Sequence, residues 1–548
     1  MRTIIRHQRQ GVGGLIFRNP VAFYAGCAAV TLGVLLHLPA FIAAREMHYR
    51  LAGMPMDSTM LAGMALTGAG LILAAWGVSP PPRPDSAAYR TGTSLLRALD
   101  DAPLSARHWR LVVVLAVALI IDVMKPATLA FVVPGMQAEY GLSKTAIALL
   151  PFVALTGTAL GSVVWGWLGD RIGRRVSLLL AAIIFVGTSI CGAMPVYGWN
   201  VVMCFLMGAS AGGLLPITIT LLSEVLPVRH RAALVVLLVG IGATGGYLVT
   251  SASAALLEPT FGWRIMWFLG LPTGLLLLLL NRAIPESPRF LLSQGRVVEG
   301  DQILLDFGAV REGPGDGPST ASGAVPQPGV MSLVRCPYRS QSLAIALYGV
   351  AWGLVNYGFF LWLPLNLRQA GFGVEASDAI LAKSAFVAVP GVLLVTWLYA
   401  RWSSRNSLVL FSLLTALSLL AFVPLAANGA HKHVLVLTIL VVALLVTSTG
   451  MSSALAPYSA EVYPTEVRAR GAGLAAGSGK FGGMIGLGAV LAHLAPVLAV
   501  SAPLVAAPVA LSSLVLGVKG IETRGRRLED TSALAAEPVG SALLPRSE

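Results

Sequence analysis

Charged residues are scarce in this chain. Asp, Glu, Lys and Arg make up 11% of its 548 residues, whereas a typical soluble domain has about 25%. Apolar residues make up 56%, without counting the 59 glycines. This composition excludes a soluble globular enzyme. It also excludes a disordered chain, because such chains are rich in charge and poor in apolar residues.

Cysteine is also rare, and the four cysteines stand alone. Cys27, Cys191, Cys204 and Cys336 show no disulfide framework and no zinc-ligand spacing. The sequence contains no constellation of a nucleophile with a base and no phosphate-binding loop. We therefore predict no metal, no cofactor and no enzymatic activity.

Long apolar stretches dominate what is present. A helix that crosses a bilayer needs about 20 apolar residues, and each segment must satisfy its own backbone groups in lipid. The sequence therefore predicts an all-α polytopic membrane protein with fourteen spans, which has the lipid bilayer as its solvent. The spans cover residues 21–44, 57–78, 110–133, 145–168, 176–194, 199–223, 232–256, 263–281, 342–366, 378–400, 407–427, 434–457, 474–496 and 498–518.

Basic residues predict how the spans are oriented. The net charge of +13 would suggest nucleic acid as the partner of a soluble protein, but cytoplasmic loops of membrane proteins also collect Lys and Arg. If both termini are cytoplasmic, 29 of the 38 Lys and Arg residues lie on that side. We therefore predict a multi-pass protein of the inner (plasma) membrane with both termini in the cytoplasm and no nucleic acid partner.

One motif occurs twice. Glu224 and Arg231 lie in the segment SEVLPVRHR, and Glu461 and Arg468 lie in the similar segment AEVYPTEVRAR, six spans further on. Such a repeat predicts two six-helix halves with a substrate site near the membrane midplane. The expected parts are an N-terminal two-helix hairpin (1–78), a cytoplasmic linker (79–108), a first half (109–281), a central cytoplasmic loop (282–341), a second half (342–518) and a cytoplasmic tail (519–548).

The loop at 166–175 carries the most specific motif. It reads GWLGDRIGRR, and it resembles the hallmark loop of the major facilitator superfamily. The resemblance covers about residues 109–530 and implies alternating access, with a charge network that locks the cytoplasmic gate. The residues that match this network are Asp170, Arg171, Arg174, Arg175, Glu224, Arg231, Arg405, Glu461 and Arg468.

The second half departs from the family pattern. When residues 397–406 are aligned with 166–175, Arg401 stands where Asp170 stands in the first half. We therefore expect the second lock to depend on Arg405, Glu461 and Arg468 only.

Three further sequence motifs indicate which branch of the superfamily this chain resembles. PESPRFLL at 285–292, AEVYPTEVRARGAG at 460–473 and ETRGRRLE at 522–529 resemble the sugar-porter-like branch of the superfamily. That branch includes symporters of protons with aromatic acids or other metabolites, organic-ion transporters and the synaptic vesicle glycoproteins. The motifs are specific for the superfamily but do not identify the substrate.

Charged residues inside the spans are the best indicators of a functional site, because burying a charge in lipid costs free energy. Asp122 and Lys125 lie three residues apart on one helix face. Related acid symporters carry a second acid where this chain has Lys125, and an arginine where it has Cys204. We predict that Asp122 carries the coupled proton and that Lys125 pairs with Asp122 or holds a substrate carboxylate. A static ion pair that only fixes the helix is the alternative.

The ninth span offers polar groups for a substrate. Asn356 and Tyr357 lie in a glycine-rich segment that can bend, and we predict that both contact substrate. Sugar porters carry two glutamines in this helix and another in the seventh span, and this chain has none of them. A hexose substrate is therefore disfavoured.

Two features lie outside these motifs. The first two spans precede the twelve spans that resemble the family, and we expect them to pack on the flank of the transporter. Their connecting hairpin is rich in Met, which could bind Cu(I) but also packs helices well. Glu258 and Arg264 flank an outer loop and are expected to be surface charges.

The sequence thus predicts a secondary active transporter. The expected cargo is a small organic solute, with an organic acid favoured, moved by a monomer together with protons. Two alternatives remain: a sensor or receptor that kept the fold and lost transport, and a transporter of sugars, organic cations or drugs.

Overall fold

In the computed structural model, the described residues contain fourteen helices that are long and apolar enough to cross a membrane, as predicted. The structure describes residues 17–79, 99, 102–294, 296–310, 333, 338–369, 372–427, 434–463, 465–492 and 498–524. No β-strand occurs within these ranges. The fold class predicted from the sequence is therefore confirmed.

The helices are numbered α1 to α14 along the chain. The first eight are α1 (Pro20–Met47), α2 (Ser58–Val78), α3 (Ala106–Tyr140), α4 (Lys144–Ile172), α5 (Arg174–Ala193), α6 (Tyr197–Val225), α7 (Val228–Phe261) and α8 (Ile265–Ala283). The remaining six are α9 (Arg339–Arg368), α10 (Val374–Arg401), α11 (Ser404–Ala427), α12 (Val434–Val462), α13 (Thr465–Leu491) and α14 (Leu498–Lys519).

Small residues let α1 and α2 pack closely. A Cβ on Gly26 would meet the backbone of Ala74, and one on Gly70 would meet the backbone of Val30. Without a hydrophobic driving force in lipid, such backbone approach is what holds two membrane helices together. Asp57 caps the start of α2, since its Oδ1 accepts a hydrogen bond of 2.7 Å from the amide of Met60.

The added helix pair packs against α5. Phe23 and Val30 of α1 and Ala74 of α2 share one buried cluster with Val176 and Ile183 of α5. This is the flank packing that the sequence predicted. Within the described ranges, no three His, Cys, Asp or Glu side chains come together as a metal site.

The helices divide into two compact units that interleave along the chain. The first unit comprises Met1–Asp122, Gly157–Arg231 and Arg264–Gly323, and the second comprises Val123–Thr156, Ala232–Trp263 and Ala324–Glu548. The second unit therefore joins parts of α3, α4 and α7 to the helices of the second half. The domain boundaries drawn from the sequence stay a prediction.

Candidate functional site

The first repeat places a buried carboxylate at the start of α5. Oε1 of Glu286 accepts a 2.8 Å hydrogen bond from the amide of Arg174, and Oε2 accepts one of 3.2 Å from the amide of Arg175. The preceding Gly173 has a φ of 104°, where any side chain would be strained and would strike Glu286. Because amides at a helix N-terminus attract anions, Glu286 caps α5 from a distant segment. Burial raises the pKa of Glu286, although these amide hydrogen bonds oppose the rise.

A second acid connects to this cap. Ser287 donates a hydrogen bond to Glu224 at the end of α6, and Nη2 of Arg174 lies 3.7 Å from Oε1 of Glu224. Arg175 is buried and donates from Nε to Oδ1 of Asn281 at 3.0 Å. We call Glu224, Glu286, Ser287 and Arg174 the first corner. It contains an ion pair and a capped helix.

Three other predicted gate residues of this repeat have different surroundings. Arg231 donates from Nη2 to the carbonyl of Leu226 at 2.9 Å. Arg171 is exposed. The side chain of Asp170 lies outside the described residues. Their gate roles stay predictions.

The second repeat builds a similar arrangement, in which Glu522 stands 236 residues after Glu286. Oε1 of Glu522 accepts from the amide of Ser404 at 2.9 Å, at the start of α11. Thr523 donates to Oε2 of Glu461 at 2.6 Å, as Ser287 donates to Glu224. Tyr399 also donates to Oε2 of Glu461, at 3.0 Å. We call Glu461, Glu522, Thr523 and Ser404 the second corner.

Hydroxyl groups are the described side-chain hydrogen-bond partners of both acids in the second corner. Burial raises the pKa of Glu461, opposed by hydrogen bonds from Thr523 and Tyr399. Burial alone would raise the pKa of Glu522, but hydrogen bonds from Ser403 and Ser404 outweigh it and lower the pKa. Of the predicted second lock, Arg405 donates from Nε to Oδ1 of Asn406 at 3.4 Å. The side chain of Arg468 lies outside the described residues.

A strip of hydroxyl and amide groups runs through the second unit. Thr244 of α7 donates to Thr449 of α12 at 3.4 Å, and Nδ2 of Asn356 in α9 donates to Ser448 of α12 at 3.3 Å. One turn further along α7 lies Tyr247. We call Thr244, Tyr247, Asn356, Ser448 and Thr449 the polar strip. It lies within otherwise apolar spans.

Several buried polar atoms beside the strip have no hydrogen-bond partner among the described residues. They are the hydroxyls of Tyr247 and Ser453 and Nε1 of Trp352. Buried polar groups are nearly always hydrogen-bonded, and exceptions call for an explanation. A bound polar ligand is one such explanation. The strip therefore qualifies as a substrate site.

The helix that carries Asn356 is irregular at this point. Leu354–Phe359 forms a π-helical turn, followed by a 3₁₀ turn over Phe360–Trp362. Such π-helical turns are frequent at functional sites because they displace side chains from the regular helical register. The predicted residues Asn356 and Tyr357 both lie in the π-helical turn.

Aromatic rings flank the strip. The ring centroid of Tyr247 lies 6.0 Å from that of Phe131 and 6.1 Å from that of Phe360. The rings of Trp352 and Tyr357 stand edge to face, with centroids 6.5 Å apart. These rings give the strip apolar neighbours.

Asp122 and Lys125 are both buried in α3, with 6% and 3% of their surface exposed. The carbonyl of Met124 accepts a 3.2 Å hydrogen bond from Thr250 of α7. Thr250 lies less than one turn beyond Tyr247, so the segment around Lys125 packs beside the polar strip.

Sequence reasoning missed several of these residues. Glu286 and Glu522 stood in recognised motifs but were not assigned a role, and their position 236 residues apart was the available signal. Thr244, Tyr247 and Ser448 were also missed. The polar run TSTGMSS at 447–453, inside a long apolar span, was the signal for Ser448.

Two expected surface charges are buried, which corrects the sequence prediction. Arg264 is 1% exposed and donates from Nη1 to the carbonyls of Gly192 at 3.2 Å and Met194 at 2.9 Å. Glu258 is 7% exposed and pairs with Arg368. The prediction was wrong because each charge finds its partner in a segment 70 or more residues away, which hydropathy cannot show.

Comparisons with known proteins agree with this architecture. The family model of the Major Facilitator Superfamily matches residues 114–487. The "Niacin transporter NiaP" of Acinetobacter baylyi is 26% identical over 71% of this chain and 88% of that protein. The "4-hydroxybenzoate transporter PcaK" of the same organism is 28% identical over 74% of this chain and 90% of that protein.

A further relative and a solved structure are similar over most of their length. The "Gallate transporter" of Pseudomonas putida is 28% identical over 80% of this chain and 96% of that protein. The structure of the proton:xylose symporter XylE, bound to 6-bromo-6-deoxy-D-glucose, gives a TM-score of 0.61 at 18% identity. It covers 79% of this chain and 100% of that chain.

Proposed function

Because this chain belongs to the Major Facilitator Superfamily, a family of secondary active transporters and not of enzymes, we propose that it moves an aromatic carboxylate together with protons. The relatives named for niacin, 4-hydroxybenzoate and gallate all act on a carboxylate attached to an aromatic ring. Their common chemistry is an anionic group and a flat ring with polar substituents or a ring nitrogen.

The observation that supports the proposal is a buried lysine in a segment of α3 that packs beside the polar strip. Lys125 is 3% exposed in a membrane-spanning helix, where a charge is costly. A substrate carboxylate would lower this cost by pairing with the ammonium group. We assign Lys125 as the anchor of the substrate carboxylate.

The polar strip supplies donors and acceptors for the rest of the substrate. Asn356 offers an amide, and Tyr247 and Ser453 offer buried hydroxyls without a partner among the described residues. The rings of Trp352 and Tyr357 offer apolar surfaces. A site built to hydrogen-bond polar ring substituents discriminates strongly against analogues that lack them.

Asp122 is the proposed proton carrier. It lies one helical turn before Lys125, so its ionised form and the substrate carboxylate compete for the same positive charge. Protonation of Asp122 would release Lys125 for the substrate, which couples the two ligands. In this proposal the proton and substrate gradients set the direction of transport. Both termini lie in the cytoplasm, and the protein works as a monomer.

Ligand-dependent thermal unfolding of the purified protein tests the substrate class. A ligand that binds only the folded state at 100 times its Kd adds about 2.7 kcal/mol of stability. We expect nicotinate, 4-hydroxybenzoate or gallate to raise Tm, and the corresponding amides to have no effect, because an amide lacks the negative charge.

A matched pair of lysine variants controls this measurement. Lys125→Met should abolish the shift, whereas Lys383→Met should retain it, because Lys383 is exposed on α10. A shift that amides reproduce, or one that survives in Lys125→Met, would refute the carboxylate anchor.

A further inference from the structure

Three charged side chains meet where α7 ends, α9 ends and α10 begins. Nη2 of Arg368 lies 3.1 Å from Oε1 of Glu258 and 3.3 Å from both carboxylate oxygens of Asp378. We call Glu258, Arg368 and Asp378 the triad. All three belong to the second compact unit, yet Glu258 comes from the first sequence half and the other two from the second.

The triad is almost completely shielded from solvent. The side chains of Glu258, Arg368 and Asp378 are 5%, 13% and 0% exposed. Oε2 of Glu258 is buried with no hydrogen-bond partner among the described residues, and so is Nε of Arg368. One carboxylate oxygen therefore points into a buried site without a donor.

The charges of the triad do not balance. Two carboxylates converge on one nitrogen of a single guanidinium, so the ionised cluster carries one excess negative charge. Two acids held so close share their titration, because ionising the second one must overcome the charge of the first. One proton would neutralise the excess and would give Oε2 of Glu258 the donor that it lacks.

Among the described residues, Arg368 is the only basic side chain shown to interact with Glu258 or Asp378. The phenol of Tyr247 interacts electrostatically with Asp378, and Glu139 of α3 accepts a 2.8 Å hydrogen bond from Trp263, near the end of α7. Helix α12, which packs on α10, has no charged residue before Glu461. Other titratable groups on these helices include Tyr247 on α7, Asp122, Lys125, Glu139 and Tyr140 on α3, Tyr357 on α9, and Glu375 and Lys383 on α10.

We propose that Glu258 and Asp378 form a proton-binding site around Arg368 and that this site is separate from Asp122. While the proton is bound, the site holds the two sequence halves together at this end. Alternating access requires such a contact to open. Loss of the proton leaves two carboxylates on one arginine, and hydration on opening then relieves the excess charge. Acid therefore favours the joined state, and alkali favours the open state.

Distance measurements between spin labels test this site without any substrate. Labels at Thr260 and Ala376, both exposed near the triad, would be placed in a background with the four native cysteines replaced. We expect the short-distance population to grow as the pH falls from 8 to 5 in lipid nanodiscs. A single proton changes the ratio of the two populations by up to about tenfold per pH unit.

The variants decide whether the triad is responsible. Glu258→Gln and Asp378→Asn cannot lose the proton, so each should keep the short distance and lose most of the pH response. Glu375→Gln, an exposed acid on the same helix as Asp378, should retain the full response. A wild-type distance that ignores pH, or an unchanged response in both triad variants, would overturn the proposal. The readout needs no ligand, so it is independent of the substrate assignment.

Discussion

In the first corner the acids Glu224 and Glu286 lie beside arginine, whereas in the second corner the matching acids Glu461 and Glu522 lie among hydroxyl groups. Both corners place a carboxylate on the N-terminus of a helix and join it to the next acid through a hydroxyl residue. The described side-chain partners of the acids differ between the two corners. Arg174 lies 3.7 Å from Glu224, whereas the described donors to Glu461 are the hydroxyls of Tyr399 and Thr523.

The difference between the corners separates two roles of the repeated motif, which are to build the fold of the corner and to respond to charge. The helix cap and the hydroxyl bridge are common to both repeats, so they build the fold of each corner. The ion pair is described in the first repeat, whose loop contains GDRIGRR, whereas the second has Arg401 where Asp170 stands. We therefore expect the lock of the first repeat, which has Asp170, to respond to charge more than the lock of the second repeat, which has Arg401 at that position.

The largest expected effect comes from removing the capping acids. Glu286→Ala deprives the amides of Arg174, Arg175 and Ser287 of their acceptor, and leaving buried donors unsatisfied should cost about 2–4 kcal/mol of unfolding free energy. Glu522→Ala should cost less, because Glu522 is only half-buried and water can replace it. Denaturant unfolding in detergent measures both, and equal losses would contradict the distinction.

The pH dependence of stability should differ in sign between the two caps. The folded pKa of Glu286 is raised above its usual 4.5 by burial, so its ionisation removes stability as the pH rises above 4.5. The folded pKa of Glu522 is lowered below 4.5, because hydrogen bonds outweigh its burial. Its contribution is therefore present above pH 4.5 and is lost as the pH falls through the folded pKa.

Two glutamine variants test this sign. Relative to the wild type, Glu286→Gln should become less destabilised as the pH rises from 4.5 to 8, and Glu522→Gln should become less destabilised as the pH falls from 4.5 to 3. Tm measured across this range checks both slopes. Parallel slopes for the two variants would show that the corners share one electrostatic environment.

The smallest expected effect is that of salt. Arg174→Gln should lower the free energy of unfolding by at most about 1 kcal/mol, since a partly exposed ion pair is worth little. This loss should shrink as the NaCl concentration rises from 50 mM to 1 M, because the Debye length falls from about 14 Å to about 3 Å. Tyr399→Phe should cost about 1 kcal/mol at either concentration, because a neutral hydroxyl donor is not screened. Equal salt responses of the two variants would contradict the expectation that the ion pair of Arg174 is screened and the hydrogen bond of Tyr399 is not.

The sequence predicted what depends on local composition and on repetition. Each span follows from its own apolar run, and the spacing of Glu224 and Glu461 revealed the two halves. It also singled out Asn356, since an amide in a glycine-rich apolar helix stands out, and its contact with substrate stays a prediction. Each of these sequence features lies within a single segment of the chain or in two similar segments.

The remaining features depend on contacts between distant segments. The partners of Glu258 and Arg264 lie 70 or more residues away, so their burial could not be read from loop position. The hydroxyls of the polar strip were missed for another reason. Thr and Ser in apolar helices commonly bond to their own backbone, and only the structure shows that Thr244 and Ser448 face other helices.

Proton-driven flux tests the central claim most directly. Proteoliposomes with an interior at pH 8, diluted into buffer at pH 6 that contains labelled 4-hydroxybenzoate or nicotinate, should accumulate the carboxylate against its concentration gradient. A protonophore should abolish this accumulation, and Asp122→Asn should lose it while retaining exchange of labelled for unlabelled substrate. Accumulation that is unchanged by the protonophore and by Asp122→Asn would contradict proton-coupled transport through this site.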